Sequence, residues 1–256
     1  MDTVKNKWPS FDDSMQNSNQ YLHNKSQNEY WDLIVENYEN IKNREMGKQK
    51  IPKILHQIWL GGDMPERENH RCDDVKNSLP NDWEYKLWTE DNIHEIEDFV
   101  ALEYYEQTPS YGQKSDIYRN EILYQFGGVY LDTDFIVYKS FDQFLDLDYV
   151  AGVAYDGWPS IMNSCVCSSP KNKIVESMRI YDKKPNWSDP MTVIDTTGPY
   201  HSYRKLMPCL NDQNLLILPN SFFYPFPNDL RKQNIHEQFL KEETVCCHLW
   251  SCTWMS

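Results

Sequence analysis

The chain has 256 residues, 40% of them hydrophobic, with 9 Trp, 17 Tyr and 10 Phe, enough to bury the core of one sizeable domain. Its formal net charge of −14 argues against a nucleic-acid backbone or an anionic membrane surface as partner, although a bound divalent cation can still admit an anionic small substrate. No apolar run approaches the roughly 20 residues of a membrane span, and the first 20 residues lack a signal-peptide layout. The seven cysteines form no repeated CxxC pair. These features predict a reduced, soluble, cytoplasmic protein with buried thiols.

Residues 1 to about 25 are rich in Asn, Ser and Gln and read as a loosely held lead-in. Ser26–Glu29 has the form of a capping box, after which Trp31, Ile34, Val35, Tyr38 and Ile41 recur at helical spacing, ending near Gly47. We therefore divide the chain into a lead-in and helix over 1–50 and one α/β domain over 51–256. "KILHQIWLGG" predicts a buried strand closed by Gly61-Gly62, and "NDWEYKLW" predicts a second. A helix is expected from about Asp91, another through Ser115–Phe126, then a short strand into Asp132-Thr133-Asp134. Further on, "DYVAGVAYD" and "NLLILP" read as strands, "NKIVESMRIYDKK" and "HSYRKLM" as helices. Strand–helix alternation of this kind implies a mainly parallel sheet flanked by helices, with ligands collecting beyond the carboxyl ends of the strands.

Period-two geometry puts Asp132 and Asp134 on one side of an extended segment, with Thr133 facing away. Two hard oxygen ligands at a strand end suit Mg²⁺ or Mn²⁺. A D-x-D pattern is weak by itself and is often a solvated turn. Here Tyr-Leu precedes it and Phe-Ile-Val follows, and a solvated turn is not usually flanked by such runs. Upstream, Asp116 and Arg119 share one helical face, as an ordinary surface ion pair or as groups that accept from and donate to sugar oxygens.

"SDIYRNEILYQFGGVYLDTD" resembles the signature of glycosyltransferases whose sugar-binding region contains the DXD motif. This family 32-like group has a GT-A fold and a retaining mechanism. It includes Och1-type mannosyltransferases, capsular polysaccharide transferases and clostridial glucosylating toxins. "IPKILHQIWLGG", "TTGPYHSYRKL" and "HLWSCTW" resemble three further blocks of that family in the same order, so the likeness runs from Ile51 to Trp254.

The resemblance implies a GT-A sheet with an N-terminal helical extension and a metal-dependent transfer of a hexose from a UDP- or GDP-sugar to a glycan or other hydroxyl acceptor. It implies catalytic roles for Asp132, Asp134, Asp116 and Arg119. Donor contacts fall on Trp59, Asp116, Arg119, Tyr130, Asp132, Ser251 and Trp254, with Trp59 stacking on the base. Metal ligation falls on Asp132, Asp134 and His248, an O/N set that favours Mn²⁺ over Mg²⁺ somewhat. Asn163, Asp156 and Asp195 are expected on the acceptor side. Two alternatives stand beside this reading: a binding-only relative that has kept the fold, and a DxD-type phosphohydrolase. The second is disfavoured because Ile136 occupies the place of its Thr or Val.

Overall fold

The computed structural model describes residues 8–15, 29–155, 159–182 and 191–251. Among the described residues eight strands carry the architecture: β1 (Ile54–Ile58), β2 (Glu84–Trp88), β3 (Gly128–Leu131), β4 (Phe135–Val137), β5 (Tyr149–Tyr155), β6 (Pro159–Ser168), β7 (Leu215–Leu218) and β8 (Cys246–His248). Six form one sheet in the order β2-β1-β3-β6-β5-β7, while β4 and β8 make a separate antiparallel ribbon. Strand pairs β1–β2, β1–β3 and β5–β7 are parallel, and β6 runs against both its neighbours. The result is a mixed, mainly parallel sheet flanked by helices, as the strand–helix alternation predicts.

In chain order the α-helices are α1 (Phe11–Ser14), α2 (Glu29–Ile41), α3 (Glu66–Ser78), α4 (Leu102–Gln107), α5 (Tyr111–Phe126), α6 (Lys173–Met178), α7 (Met191–Thr196), α8 (Pro199–Leu206) and α9 (Asn220–Phe223). The helix expected from Asp91 is only a 3₁₀ segment, Glu90–Glu95, opened by a capping box from Thr89 to Asn92. Helix α2 stops at Ile41, before Gly47, and of the capping box expected over Ser26–Glu29 the first three residues lie outside the described residues.

The polar lead-in is corrected over residues 8–15. Trp8, Phe11 and Met15 are buried in the core, the Tyr38 hydroxyl donates to Pro9 O at 3.0 Å, and Glu39 accepts from the Phe11 amide at 2.7 Å. Three large apolar groups spread over eight residues bury enough surface to hold a polar segment in place. Helix α2 covers β7, and its buried Asn37 works on that edge strand's backbone: it donates to Leu210 O and Leu215 O and accepts from the Ile217 amide. A sheet edge is left with unpaired backbone groups, and Asn37 satisfies several of them at once.

Helix α5 ends at Gly127 and Gly128, with φ of +65° and +94°. A side chain at 128 would stand 2.5 Å from Ile54 O, so glycine is what lets β3 lie directly against β1.

Two histidines are buried as neutral rings. His56 Nδ1 accepts from Trp88 Nε1 at 3.0 Å and its Nε2 donates to Gly127 O at 2.9 Å, and His201 Nε2 lies 2.8 Å from Met178 O. Burial pulls both down to about 4. The unfolded chain therefore binds more protons than the native one between roughly pH 6.5 and 4, and stability is lost as pH falls through that window. Going from pH 7.5 to 5 is expected to cost about 2 kcal/mol per histidine, read as a drop in urea midpoint; replacing His56 with glutamine removes its share of the slope.

Candidate functional site

The candidate site forms where β3 ends. Asp132 and Asp134 do not continue an extended segment, as the period-two reading expects: Thr133 and Asp134 form a turn between β3 and β4. The carboxylates converge nonetheless, because the turn is held on both sides. The Asp132 amide donates to Ser164 O at 2.9 Å, Gln57 Nε2 donates to Asp132 O at 3.1 Å, and the Leu249 amide donates to Asp134 O at 2.9 Å.

The β4–β8 ribbon delivers the third group. Its register sets Phe135 opposite His248, and their rings stack at 4.5 Å. His248 Nε2 then lies 3.0 Å from Asp134 Oδ1. Two residues later Trp250 takes φ +57°, an uncommon conformation for a residue with a side chain, fixed by Trp250 Nε1 donating to Phe226 O at 2.7 Å. That turn aims the Ser251 amide at Asp134 Oδ2, 2.7 Å away.

Ligand atoms of Asp132, Asp134 and His248 all lie within 4.8 Å of one another. Two carboxylates and an imidazole are a donor set that fits a divalent cation. The charges of the pair also respond to each other. Burial pushes the Asp132 carboxyl up, Arg119 opposes this, and the charge of Asp134 adds to it. Asp134 is also raised by burial, but the charge and hydrogen bond of His248 and the Ser251 amide outweigh that and hold it below the usual range.

Behind the carboxylates is a buried charge network on α5. Arg119 lies 3.1 Å from Asp116 Oδ1 and 3.2 Å from Asp132 Oδ1, and donates to Asn163 O at 2.6 Å. Its guanidinium also covers the Tyr130 ring at 4.4 Å, and the Tyr130 hydroxyl donates to Asp132 Oδ1 at 2.6 Å. Asp116 accepts from Asn163 Nδ2 at 2.9 Å and from the Thr197 hydroxyl at 3.0 Å; burial raises it to about 6, with Arg119 resisting. Asp116, Arg119 and Tyr130 are only 6%, 4% and 1% exposed, so all three stand behind the half-buried Asp132 rather than opening to a ligand directly.

Trp59 sits half-buried just past β1, its indole N–H donating to Gly62 O at 3.0 Å. Gly61, at φ +100°, passes under the Tyr111 ring, where a Cβ would meet it at 2.8 Å. Tyr111, 53% exposed beside this turn, carries no signal in its sequence context. Of the acceptor-side residues, Asn163 is drawn into the Asp116 network, and Asp195 pairs on the surface with Arg204 at 2.7 Å. Asp156 and Trp254 lie outside the described residues. The described cysteines are free thiols, as the composition predicts.

The architecture is that of a GT-A glycosyltransferase. Residues 65–151 match the family model described as a glycosyltransferase sugar-binding region containing the DXD motif, which bears out the resemblance to family 32-like glycosyltransferases. Inositol phosphoceramide mannosyltransferase 3 of Schizosaccharomyces pombe is 36% identical over 104 residues, covering 37% of this chain and 27% of its own. Mannosyl phosphorylinositol ceramide synthase CSH1 of Saccharomyces cerevisiae is 31% identical over 170 residues, covering 60% of this chain and 42% of its own. This chain thus spans less than half the length of either relative. A solved glycosyltransferase involved in glycosylation of the major capsid of PBCV-1 shares the fold: TM-score 0.50, 12% identity, 80% of this chain and 96% of that one. Among the described residues no helix is long and apolar enough to cross a membrane.

Proposed function

We propose that the protein is a divalent-metal-dependent, retaining glycosyltransferase that moves a hexose from a nucleotide diphosphate sugar to a hydroxyl acceptor, in glycan or glycolipid synthesis. The observation that carries the reading is the meeting of Asp132, Asp134 and His248 at the carboxyl end of β3, beside the Arg119 network. Sugar transfer accords with the family match, and the names of the fungal relatives point to mannose as the first hexose to test.

On this reading Asp132, Asp134 and His248 hold the cation, Mn²⁺ or Mg²⁺. When bound, it supplies Lewis-acid stabilisation of the leaving diphosphate. Trp59 offers an aromatic face for the base at the strand end. Arg119 favours the charged form of Asp132 and aims it through Nη2, 3.2 Å from Oδ1, and the Tyr130 hydroxyl fixes the same oxygen from the other side. Ser251 is fixed at the same site: its amide donates to Asp134 Oδ2 at 2.7 Å, while its hydroxyl accepts from Arg71 Nη1 at 3.0 Å. No described carboxylate is left free in the site to act as a nucleophile on sugar, so we propose front-face transfer. The bond from the anomeric carbon to the diphosphate oxygen breaks, the acceptor oxygen bonds on the same face, and its proton passes to the departing phosphate oxygen.

The test is a donor panel without acceptor. UDP- and GDP-hexoses, GDP-mannose among them, are incubated with the protein and Mn²⁺ or with a chelator. One donor is expected to be hydrolysed slowly, only with metal present. A panel in which no donor is hydrolysed under any metal contradicts the proposal.

A further inference from the structure

The acidic balance of the chain reverses at one place beside the candidate site. A pocket of about 400 Å³ is lined by Arg67, Arg71, Arg231 and Lys232, with no carboxylate among its lining residues. These cations are not equally engaged. Arg67 and Arg71 stand one turn apart on α3, and buried Glu68 takes the Arg67 fork at 2.6 and 2.8 Å while lying 3.8 Å from Arg71. Arg71 donates from one nitrogen to the Ser251 hydroxyl at 3.0 Å, which leaves the rest of its fork for another partner. On the opposite rim Arg231 donates to the main-chain and side-chain oxygens of Asn228, both neutral. Like charges gathered this way repel, and the arrangement lowers its free energy when an anion enters.

The pocket adjoins the candidate metal centre without sharing its ligands: Asp132, Asp134 and His248 do not line it. Two residues form the common wall. The Ser251 amide reaches Asp134 Oδ2 at 2.7 Å on one side, while its hydroxyl holds Arg71 on the other. Trp250 lines the pocket with its ring centre 4.2 Å from that of His248. A diphosphate reaching the metal centre therefore passes beside fixed protein cations as well. A free nucleoside diphosphate differs from its sugar ester at the terminal phosphate, which ionises a second time with a pKa of about 6 once the sugar has left. Guanidinium forks match two oxygens of such a group, and an ammonium adds a point charge. The uncapped phosphate thus gains more from these cations than the esterified one.

We infer that this pocket is a metal-independent site for the terminal phosphate of the free nucleoside diphosphate, the product left when the sugar departs. The inference rests on the glycosyltransferase reading, in which the donor diphosphate is met at the Asp132–Asp134–His248 site, and it goes further by separating nucleotide binding from metal binding. Arg71 is the fixed element, tethered by Ser251, and Arg231 and Lys232 complete the charge from the exposed rim. As the bond to the sugar breaks, the leaving oxygen gains negative charge, so the same cations favour the departing state over the intact donor. The product then stays bound when no metal is present.

The experiment is a binding titration, which needs no turnover and is therefore separable from the donor panel. UDP, GDP and their hexose esters are titrated by calorimetry into the wild type, once with Mn²⁺ and once with a chelator. At least one free diphosphate is expected to bind in the chelator, at least tenfold more tightly than its hexose ester, and to be displaced by inorganic pyrophosphate. Added salt should weaken that metal-free affinity. The double variant Arg231→Gln/Lys232→Gln, whose altered side chains are both exposed, is expected to lose at least tenfold in metal-free affinity while its circular dichroism is unchanged. Arg71→Gln should lose as much, and Arg71→Lys, which keeps the charge, less. Nucleotide binding that appears only with Mn²⁺ overturns the inference and leaves the glycosyltransferase reading standing. Equal metal-free affinity in wild type and double variant does the same. A wild type that binds no nucleotide under either condition contradicts both.

Discussion

Replacing Asp134 with asparagine is expected to lower metal-dependent donor turnover by about 10²–10³-fold, the scale seen when one fixed electrostatic group at a reacting centre is removed. The fold should survive. Asparagine keeps an oxygen for the Ser251 amide, now 2.7 Å from Asp134 Oδ2, and sets an N–H toward His248 Nε2 in place of the carboxylate. What it lacks is the negative charge that a divalent ion requires of a hard ligand. The diagnostic result is a collapse in turnover together with an unchanged thermal midpoint. Full activity in the variant would remove Asp134 from the site.

Replacing Arg119 with alanine should act in the opposite manner, through stability first. The guanidinium is the countercharge for two carboxylates, Asp116 at 3.1 Å and Asp132 at 3.2 Å, and both are held in a buried network. Breaking a buried pair by deleting one partner costs about 3–5 kcal/mol, because the remaining charge is left uncompensated. The sign of its pH dependence follows. Asp116 already sits near 6 with Arg119 present. Without the arginine its folded pKa rises further above the unfolded value, so the penalty is largest above that pKa and shrinks as acid protonates the carboxyl. The deficit in urea stability is expected to be clearly smaller at pH 5 than at pH 7.5. Arg119→Lys, which keeps a charge but not the fork, should fall between. An alanine variant as stable as the wild type would mean that the network carries no load.

Much of this site is written in local sequence. Helix α5, the two glycines that stop it and the apolar run into Asp132 follow from periodicity and from breakers, because those elements are set by near neighbours. His248 is legible only through its block resemblance; its position depends on the β4–β8 register, a pairing between residues over a hundred apart. The turn at Thr133 escapes a period-two reading because backbone bonds from Ser164 and Leu249, distant in sequence, bend the segment. The Asp116–Arg119 spacing predicts a shared face but not its inward direction, which Asn163 and Thr197 decide from other elements. Residues 8–15 look polar by composition while three well-spaced apolar groups pin them down.

The central claim is that Asp132, Asp134 and His248 hold a divalent cation. Titrating Mn²⁺ into the apoprotein, followed by the loss of the free-ion electron paramagnetic resonance signal, tests this directly. The wild type should take up one Mn²⁺ per chain, more tightly with UDP or GDP present, and Asp134→Asn should take up at least tenfold less at the same free concentration. Saturable binding that is equal in both proteins, or none in the wild type, would contradict the account.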